Sequence, residues 1–261
     1  MRIVRFTPPA ELGLGNDPHY GILNEQDDIL VLRGDPLFSG IVPIPDKLIS
    51  KSKVKLLAPV IPRSKVVCVG KNYADHATEM GGEVPKEPII FLKPNTTVVG
   101  PGDNIVKPSQ AQRVDYEGEL AIVISRICKD VPIEKYQDVI FGYTIANDVT
   151  ARDLQKTDGQ WTRAKSFDTF CPLGPWIETE FEPSNQKIVT KIGDDVKQNE
   201  PISSMIFSIP KIINFITQVM TLLPGDVILT GTPAGIGAMQ LGEKVVISID
   251  GLGQLENTFV N

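Results

Sequence analysis

The sequence predicts a mixed, β-rich α+β fold, on three observations. First, 22 glycines and 21 prolines are spread over 261 residues without a period, which is typical of short strands joined by many turns. Second, short apolar runs of strand length recur from residue 65 to the end. Third, only one segment has clear helical periodicity. A helical bundle is therefore disfavoured.

The first 60 residues predict a small N-terminal β-rich domain. They consist of short alternating stretches such as GILNEQDDILVL, broken by glycine and proline, without a recognisable catalytic motif. The run LLAPVIPRS then places Pro59 and Pro62 around β-branched residues, which indicates a stiff, extended connector. We expect a boundary near residue 60, between domains at residues 1–60 and 61–261.

Strands dominate the larger domain. The candidates are, in chain order, KVVCVG, EPIIFLKP, ELAIVISRI, VIFGYTIAND, GDVILTGT, EKVVISIDG and QLENTFVN. The one clear helix lies in SIPKIINFITQVMTLLPGD, with Ser208 as N-cap, Pro210 in the first turn and the pair Pro224-Gly225 as its stop. Its apolar residues recur at helical spacing, so we expect it to pack against the core.

Composition excludes several classes of partner. A net charge of −6 and a pI near 5.1 have the wrong sign for binding nucleic acid. Three cysteines without C-x-x-C spacing indicate neither a disulfide framework nor a cysteine-based zinc site. An early apolar run and an apolar segment of 18 residues are both missing, so neither secretion nor membrane spanning is predicted. We expect a cytoplasmic protein without a nucleic-acid or membrane partner.

Histidine is scarce, and this limits the chemistry. The only two are His19 and His76, which excludes zinc sites of the HExxH or three-histidine kind. Motifs for a serine nucleophile elbow, a P-loop and a dinucleotide fold are also absent. A bound metal would need mainly carboxylate oxygens as ligands, which favours Mg²⁺, Mn²⁺ or Ca²⁺.

Three carboxylates are candidate ligands. Glu117 and Glu119 stand two apart where an apolar strand begins, so both point to one face, where a cation would offset their repulsion. The alternative is a solvated strand edge, and the spacing alone does not choose between them. Asp148 follows the strand GYTIAN directly, and its alternative role is a helix cap. With water, three carboxylates would complete an oxygen site that keeps positions open for a chelating substrate.

A histidine, a glutamate and a lysine are candidate catalytic residues. His76 and Glu79 share a face if KNYADHATEM is helical, and such a pair suits a general base. The alternative is an exposed helix turn, while the glycines and prolines of GGEVPKEP suit a hinged lid. Lys165 lies among aromatic residues and could stabilise a developing oxyanion, or it could be a surface lysine with an exposed ammonium. GTPAGIG is a turn whose backbone could approach a small anion.

Taken together, these segments resemble the fumarylacetoacetate hydrolase family, most closely its short acylpyruvate hydrolase and oxaloacetate decarboxylase branch. The matching blocks, over roughly residues 65–250, are VGKNYADH, PIIFLKPNTTVVGPGD, DYEGELAIVI, DVTARDLQ, AKSFDTFCPLGP, SSMIFSIPKII and LLPGDVILTGTPAGIG. The resemblance implies a β-roll catalytic domain, a homodimer, and Mg²⁺ or Mn²⁺ held by Glu117, Glu119 and Asp148.

The resemblance also implies roles for seven further residues. It places His76 and Glu79 on a lid over the substrate and makes Lys165 the oxyanion-stabilising cation. The residues that match the substrate-lining positions are Lys71, Arg152, Gln155 and Thr232. Position 71 is Lys where some relatives have Arg, so the resemblance does not fix substrate preference. The long N-terminal domain of true fumarylacetoacetases is missing, which makes fumarylacetoacetate itself a less expected substrate.

The resemblance implies chemistry on a small 2-oxo acid. Breaking the C–C bond beside its oxo group leaves an enolate that a divalent cation and Lys165 would stabilise. The main hypothesis is a metal-dependent acylpyruvate hydrolase or oxaloacetate decarboxylase, in which His76 and Glu79 activate water for hydrolysis. The enzyme alternative is an isomerase or hydratase of intermediates such as 2-hydroxyhepta-2,4-dienedioate. A binding module for 2-oxo acids is the non-enzymatic alternative, and it has no use for the histidine–glutamate pair.

Overall fold

The computed structural model describes residues 1–10, 13–15, 17–79, 81 and 84–261. Within them the strands are β1 Arg2–Thr7, β2 His19–Leu23, β3 Asp28–Leu32, β4 Pro43–Ser50, β5 Lys55–Leu57, β6 Val66–Gly70, β7 Ile89–Lys93, β8 Val98–Val99, β9 Asn104–Val106, β10 Val114–Tyr116, β11 Gly118–Ile124, β12 Ile140–Asn147, β13 Thr150–Ala151, β14 Cys171–Glu178, β15 Lys187–Ile192, β16 Asp195–Pro201, β17 Val227–Leu229, β18 Gly237–Ala238, β19 Lys244–Ile249 and β20 Gly253–Val260. The α-helices are α1 Pro36–Ser39, α2 Ala74–Glu79, α3 Arg152–Asp158, α4 Thr162–Lys165 and α5 Ile209–Val219.

Three sheets organise these strands. The largest runs in the order β4-β3-β2-β1-β14-β12-β11-β17-β6-β7, with β5 added beside β1 and β8 beside β14. A second sheet has the order β16-β15-β19-β20-β9, and a third has the order β13-β10-β18. The N-terminal strands join the large sheet through antiparallel pairing of β1 with β14. The division into two domains near residue 60 stays a prediction, since strands from both sides of it share this sheet.

The core lies on both faces of the large sheet, and β11 shows why. Every residue of this strand is buried. Leu120, Ile122 and Ile124 belong to the cluster that includes α5 and the inner face of the β15–β20 sheet. The alternate residues Ala121 and Val123 belong to a second cluster on the other face. A strand covered on both sides reads as a continuous apolar run rather than an alternating one, which explains the segment ELAIVI.

Helix α5 packs as its sequence predicts but ends earlier. Ile209, Ile212, Ile213 and Ile216 are all buried in the core. The predicted stop at Pro224-Gly225 is wrong, because the helix ends at Val219. The following chain turns into extended pairing, in which Leu222 and Cys128 exchange two backbone hydrogen bonds of 2.9 and 3.0 Å. Ser208 occupies the N-cap position, although its hydroxyl makes no capping bond.

The prediction of a β-rich α+β fold is confirmed. Each of the seven strand segments predicted for residues 65–261 contains a strand of the structure. In the part of the chain that the structure describes, none of the helices has both the length and the apolar character needed to cross a membrane.

Candidate metal and acid–base site

Three buried carboxylates converge where strands of the large sheet end. Glu117 lies between β10 and β11, Glu119 is the second residue of β11, and Asp148 directly follows β12. One oxygen from each lies within 4.8 Å of the others. The three residues are 4%, 2% and 1% exposed, respectively. The alternative of two solvated glutamates at a strand edge therefore does not apply.

Backbone pairing brings these carboxylates together. The Glu117 N–H donates to Asn147 Oδ1 at 2.9 Å, and the Asp148 N–H donates to the Glu117 carbonyl at the same distance. Strand register thus fixes the positions of both residues before any ligand binds. Asp148 is not a helix cap, because the N-cap of α3 is Ala151.

Three buried cations lie against two of the carboxylates. Lys165 Nζ donates to Glu117 Oε2 at 2.8 Å and to Asp148 Oδ2 at 2.6 Å. Arg152 Nη2 donates to Glu117 Oε1. Lys93 Nζ donates to Asp148 Oδ1 at 2.5 Å and to the Val149 carbonyl at 3.2 Å. Lys165 is 2% exposed, so it is not a surface lysine with its ammonium in water.

The glutamates differ sharply in their electrostatic surroundings. Burial favours the neutral form of Glu117, but the charges of Lys165 and Arg152 outweigh it and hold the pKa of Glu117 below its ordinary value. Burial and the negative charges of Asp148 and Glu117 raise the pKa of Glu119 well above its ordinary value. Burial opposes the charge of Lys165, yet the same two carboxylates raise the pKa of its ammonium.

The donor set fits a hard divalent cation. Glu119 has no ion-pair partner among the residues that the structure describes, and its Oε2 accepts only the Gly231 N–H, at 2.7 Å. A buried carboxylate without a cation is costly unless a proton or metal compensates it. Three carboxylates offer only oxygen ligands, which Mg²⁺ and Mn²⁺ prefer.

His76 and Glu79 form a second part of the site, on helix α2. Their separation by three residues places them on one face, and His76 Nδ1 lies 3.4 Å from Glu79 Oε2. His76 is buried, whereas the Glu79 side chain is 34% exposed. The Gly235 N–H lies 3.3 Å from both carboxylate oxygens of Glu79. Of the predicted lid, residues 80, 82 and 83 lie outside the described residues.

One cavity joins nearly all the predicted residues. Its lining includes Lys71, His76, Glu117, Glu119, Asp148, Arg152, Gln155, Lys165 and Thr232. Glu79 is not part of the lining and contacts His76 instead. The remaining wall is apolar and comes from Val69, Gly70, Phe91 and Trp161.

The residues predicted to bind substrate differ in how far their hydrogen-bonding groups are already used within the protein. Arg152 Nη1 donates to Gln155 Oε1 at 2.5 Å, so these two act as a unit. The Thr232 hydroxyl donates to the Gly118 carbonyl at 2.9 Å and accepts from Gln198 Nε2 at 2.8 Å. Its hydrogen bonds are therefore already used within the protein. Lys71 is partly exposed and has a left-handed backbone conformation, with φ of 56°.

The glycine-rich turn after β17 holds carboxylates of the protein itself. Gly231, with φ of +100°, aims its N–H at Glu119, and Gly235 aims its N–H at Glu79. The left-handed conformation of Gly231 favours glycine, and a Cβ there would lie 2.6 Å from the Asn72 Cβ. The anions that this turn approaches are thus two carboxylates of the protein itself, Glu119 and Glu79.

Sequence reasoning missed two charged neighbours of the site. Lys93 is 1% exposed and pairs with Asp148, and Asp115 is fully buried and accepts from Arg152 Nε at 2.9 Å. The available signal for Lys93 was a lysine at the end of the apolar strand EPIIFLKP, since a buried lysine needs a charged partner.

Two family models match the chain. Residues 65–260 match the model described as fumarylacetoacetate (FAA) hydrolase C-terminal, and residues 1–59 match the one described as Rv2993c-like, N-terminal. Protein Rv2993c of Mycobacterium tuberculosis is 54% identical over 231 residues, which cover 87% of this chain and 84% of that protein. The oxaloacetate tautomerase YisK of Bacillus subtilis is 45% identical over 223 residues, with 80% and 74% covered.

Solved structures with the same fold include enzymes of several kinds. A 2-hydroxyhepta-2,4-diene-1,7-dioate isomerase from Mycobacterium marinum is 46% identical, with a TM-score of 0.87, and covers 100% of this chain and 98% of its own. A fumarylpyruvate hydrolase from Pseudomonas aeruginosa, in complex with Mn²⁺ and pyruvate, is 33% identical, with a TM-score of 0.72 and coverages of 79% and 91%. A maleylpyruvate hydrolase from Sphingobium sp. SYK-6, also with manganese and pyruvate, is 29% identical, with a TM-score of 0.80 and coverages of 100% and 99%.

Proposed function

Because the chain belongs to the fumarylacetoacetate hydrolase family, we propose that it interconverts the keto and enol forms of a small 2-oxo acid, with oxaloacetate as the first substrate to test. The family's enzymes include tautomerases, isomerases and hydrolases of small acids. One observation carries the proposal: His76, which contacts Glu79, lines one cavity together with three carboxylates and the cations Lys71, Arg152 and Lys165. Such a cavity can bind an acid and move its protons.

The cavity lining favours proton transfer over covalent catalysis. Among its described residues the only hydroxyl side chain is that of Thr232, and both of its hydrogen bonds are made within the protein. No cysteine or serine side chain belongs to this lining. Nucleophilic catalysis needs a side chain that is activated and free to attack. General acid–base chemistry needs only groups such as His76 and a charged, water-poor surrounding.

Glu117, Glu119 and Asp148 would hold Mg²⁺ or Mn²⁺. When bound, such an ion supplies Lewis-acid polarisation of an oxo group and draws negative charge onto its oxygen. Mn²⁺ accompanies pyruvate in the fumarylpyruvate hydrolase and maleylpyruvate hydrolase structures, which supports this reading without choosing between the two metals.

The remaining residues divide the work of an enolisation. Arg152 and Lys71 would bind the carboxylate of the acid, and Lys165 would place its charge beside the oxygen that becomes negative. With Nδ1 directed at Glu79, His76 has Nε2 left to take a proton from the carbon beside the oxo group. The enolate oxygen then takes up a proton to give the enol, and the reverse reaction returns a proton from His76 to the carbon. Glu79 would orient the ring and stabilise its protonated form.

A tautomerase assay tests the proposal. Decay of the enol absorbance of oxaloacetate is followed with enzyme and metal, and the decay with metal alone is subtracted. We expect the wild type to accelerate the interconversion and His76→Ala to lose most of the acceleration while still binding metal. A wild-type rate equal to that of metal alone, on oxaloacetate and on 2-hydroxyhepta-2,4-diene-1,7-dioate, would refute the proposal.

C–C bond cleavage is the second candidate, covering acylpyruvate hydrolysis and oxaloacetate decarboxylation. It is favoured by the pyruvate present in two of the related hydrolase structures, because pyruvate is the fragment that cleavage of an acylpyruvate releases. Acylpyruvate hydrolysis and oxaloacetate decarboxylation both leave the enolate of pyruvate, so one set of residues could serve either reaction. Pyruvate release from acetylpyruvate and from oxaloacetate, measured with a coupled dehydrogenase, tests this candidate independently of tautomerisation.

The homodimer is a separate proposal that rests on the family resemblance. Static light scattering of the purified chain tests it, with a mass near twice 28.6 kDa as the expected result.

A further inference from the structure

The apolar side of the cavity is built from two strands and the turn before α4. Gly70 ends β6, and Phe91 lies on the neighbouring strand β7. The register pairs Cys68 with Phe91 and Gly70 with Ile89, so Gly70 and Phe91 lie on the same face of the sheet. Trp161 lies over this face, with its ring centroid 5.2 Å from that of Phe91 and the two planes at 77°.

Gly70 allows the indole to lie directly against the backbone. A Cβ on Gly70 would come 2.5 Å from Cζ3 and 2.9 Å from Cη2 of Trp161. These separations are shorter than contacts between non-bonded carbon atoms, so even an alanine at position 70 would push the indole ring away. Trp161 is also tied to the catalytic lysine candidate, because it precedes α4 and its carbonyl accepts from the Lys165 N–H at 3.1 Å.

The aromatic residues adjoin the charged part of the cavity. Lys165 Nζ lies 5.0 Å from the centre of the Phe91 ring. Lys165 also contacts Glu117 and Asp148, so the charged cluster and the aromatic face meet at one side chain. A 2-oxo acid with its charged head at the cluster would direct the rest of its chain at Phe91 and Trp161.

We propose that Trp161, seated on Gly70 and edge-on to Phe91, is the wall that limits how long the substrate chain beyond the 2-oxo acid group can be. This inference rests on the proposed function and deepens it. It names the substrate class as 2-oxo acids whose chain beyond the oxo carbon is short. Trp161 thus acts as a specificity residue, while proton transfer belongs to other groups.

A binding experiment tests the wall without depending on turnover. Oxamate and N-phenyloxamate share one 2-oxo acid-like head, differ by a phenyl group and contain no C–C bond that the proposed reactions cleave. Their affinities are measured by calorimetry in the presence of Mg²⁺ on wild type, Trp161→Ala and the conservative variant Trp161→Phe. Trp176→Phe is the matched control, because it removes the chain's only other tryptophan, whose ring lies against Gly253 and Arg2 rather than in the cavity.

We expect wild type and Trp176→Phe to favour oxamate by about tenfold or more, a usual size for steric discrimination by an apolar pocket. Trp161→Ala should bring the two affinities close together, and Trp161→Phe should lie between. An affinity ratio in Trp161→Ala equal to that of the wild type would overturn the inference that Trp161 limits the length of the substrate chain. If the affinity ratio depends on Trp161 but the enzyme turns over no 2-oxo acid, the proposed function is refuted. The inference that Trp161 limits the length of the bound chain is then kept.

Gly70→Ala tests the seating of the ring. The added methyl should push the indole into the cavity and weaken oxamate binding, and the double variant Gly70→Ala/Trp161→Ala should restore it. A double variant as weak as Gly70→Ala would show that position 70 acts without the indole, and it would overturn this part of the inference. Thermal unfolding of each variant shows whether it is folded under the conditions of the titration.

Discussion

The two halves of the candidate site are held in different ways. On the carboxylate half, Lys93 and Lys165 contact Asp148 at 2.5 and 2.6 Å, and strand register fixes the backbone. On the half proposed to transfer protons, His76 and Glu79 lie 3.4 Å apart, and the link from Glu79 to Gly235 is 3.3 Å long. One half is a buried network of short ion pairs, and the other is a short helix with long contacts.

This difference indicates which half is complete before a ligand binds. Charge-assisted hydrogen bonds below 2.9 Å between buried groups leave little to rearrange. Catalytic hydrogen bonds that are long without substrate commonly shorten in the complex. We therefore expect the carboxylate half to determine whether anything binds, and the histidine half to determine how fast it reacts. Single substitutions on each half test that division.

Loss of a carboxylate should have the largest effect. Asp148→Asn removes one of the three carboxylate charges proposed to hold the metal, so metal affinity should fall by more than the roughly 100-fold that losing an outer-shell partner costs, and metal-dependent activity should disappear. Calorimetric titration with Mn²⁺ measures this.

Asp226→Asn is the matched control for Asp148→Asn. Asp226 is also fully buried and pairs with a lysine, Lys65, at 2.6 Å. It lies before β17, whereas the site lies beyond the other end of that strand. Asp226→Asn should lower the stability of the protein and leave its metal affinity unchanged. Unchanged affinity in Asp148→Asn itself would mean that the ligands are misassigned.

Removal of the histidine should affect rate rather than binding. His76→Ala should lower tautomerisation and acylpyruvate turnover by roughly 10²- to 10⁴-fold, the usual contribution of a general acid–base group, with metal affinity preserved. Oxaloacetate decarboxylation needs no nucleophile, so it should suffer less from His76→Ala than from Lys165→Ala. The ratio of kcat/KM losses for the substrates in these two variants is the measurement. Equal losses on every substrate would assign His76 to a step that all reactions share.

Loss of Lys93 tests whether the cations of the cluster stand in for a metal. Lys93→Met leaves Asp148 with one cation fewer, and breaking a buried ion pair costs about 3–5 kcal/mol of stability. Added Mn²⁺ should then raise the Tm of Lys93→Met more than that of the wild type, because the metal replaces a missing positive charge. Lys65→Met, which breaks the distant pair with Asp226, is the control and should show the wild-type metal shift. If Mn²⁺ raises the Tm of Lys93→Met only as much as that of the wild type, Lys93 does not contribute to the metal site.

The sequence predicts the strands of this fold better than it predicts their sheets. ELAIVISRI and GDVILTGT are recognisable because buried strands are apolar throughout. The pairing of β1 with β14, which lie about 175 residues apart, has no local signature. The early end of α5 has the same cause, because Cys128 supplies the extended partner of Leu222 from a distant loop.

At the site, the sequence indicates the candidate ligands and two of their cations, Lys165 and Arg152, but not Lys93 or Asp115. Glu117, Glu119 and His76 stand in recognisable spacings, since their neighbours along the chain are part of the pattern. Lys93 reaches Asp148 across 55 residues, and Trp161 packs directly against Gly70 from a distant part of the chain. Such contacts depend on tertiary packing alone, which a single sequence does not reveal.

The smallest expected effect concerns motion in the histidine half. Asn72, at the start of this segment, is buried and makes three hydrogen bonds of 2.7 to 3.1 Å to Phe207 and Thr230, whereas Glu79 at its end has only the long contacts to His76 and Gly235. Amide exchange should therefore be slow in the part from Asn72 to the buried Ala77, whose N–H donates to the Tyr73 carbonyl at 2.9 Å, and faster at Thr78 and Glu79 in the free protein.

Mg²⁺ with oxalate, a planar dianion that resembles the enolate of pyruvate, should slow exchange at Thr78 and Glu79 only. Glu79→Gln should weaken that protection because the charge that binds His76 is lost. Mass spectrometry of peptides covering the two parts measures both rates. Slow exchange throughout the segment, unaltered by oxalate, would mean that the histidine half is as fixed as the carboxylate half and that the division between them does not hold.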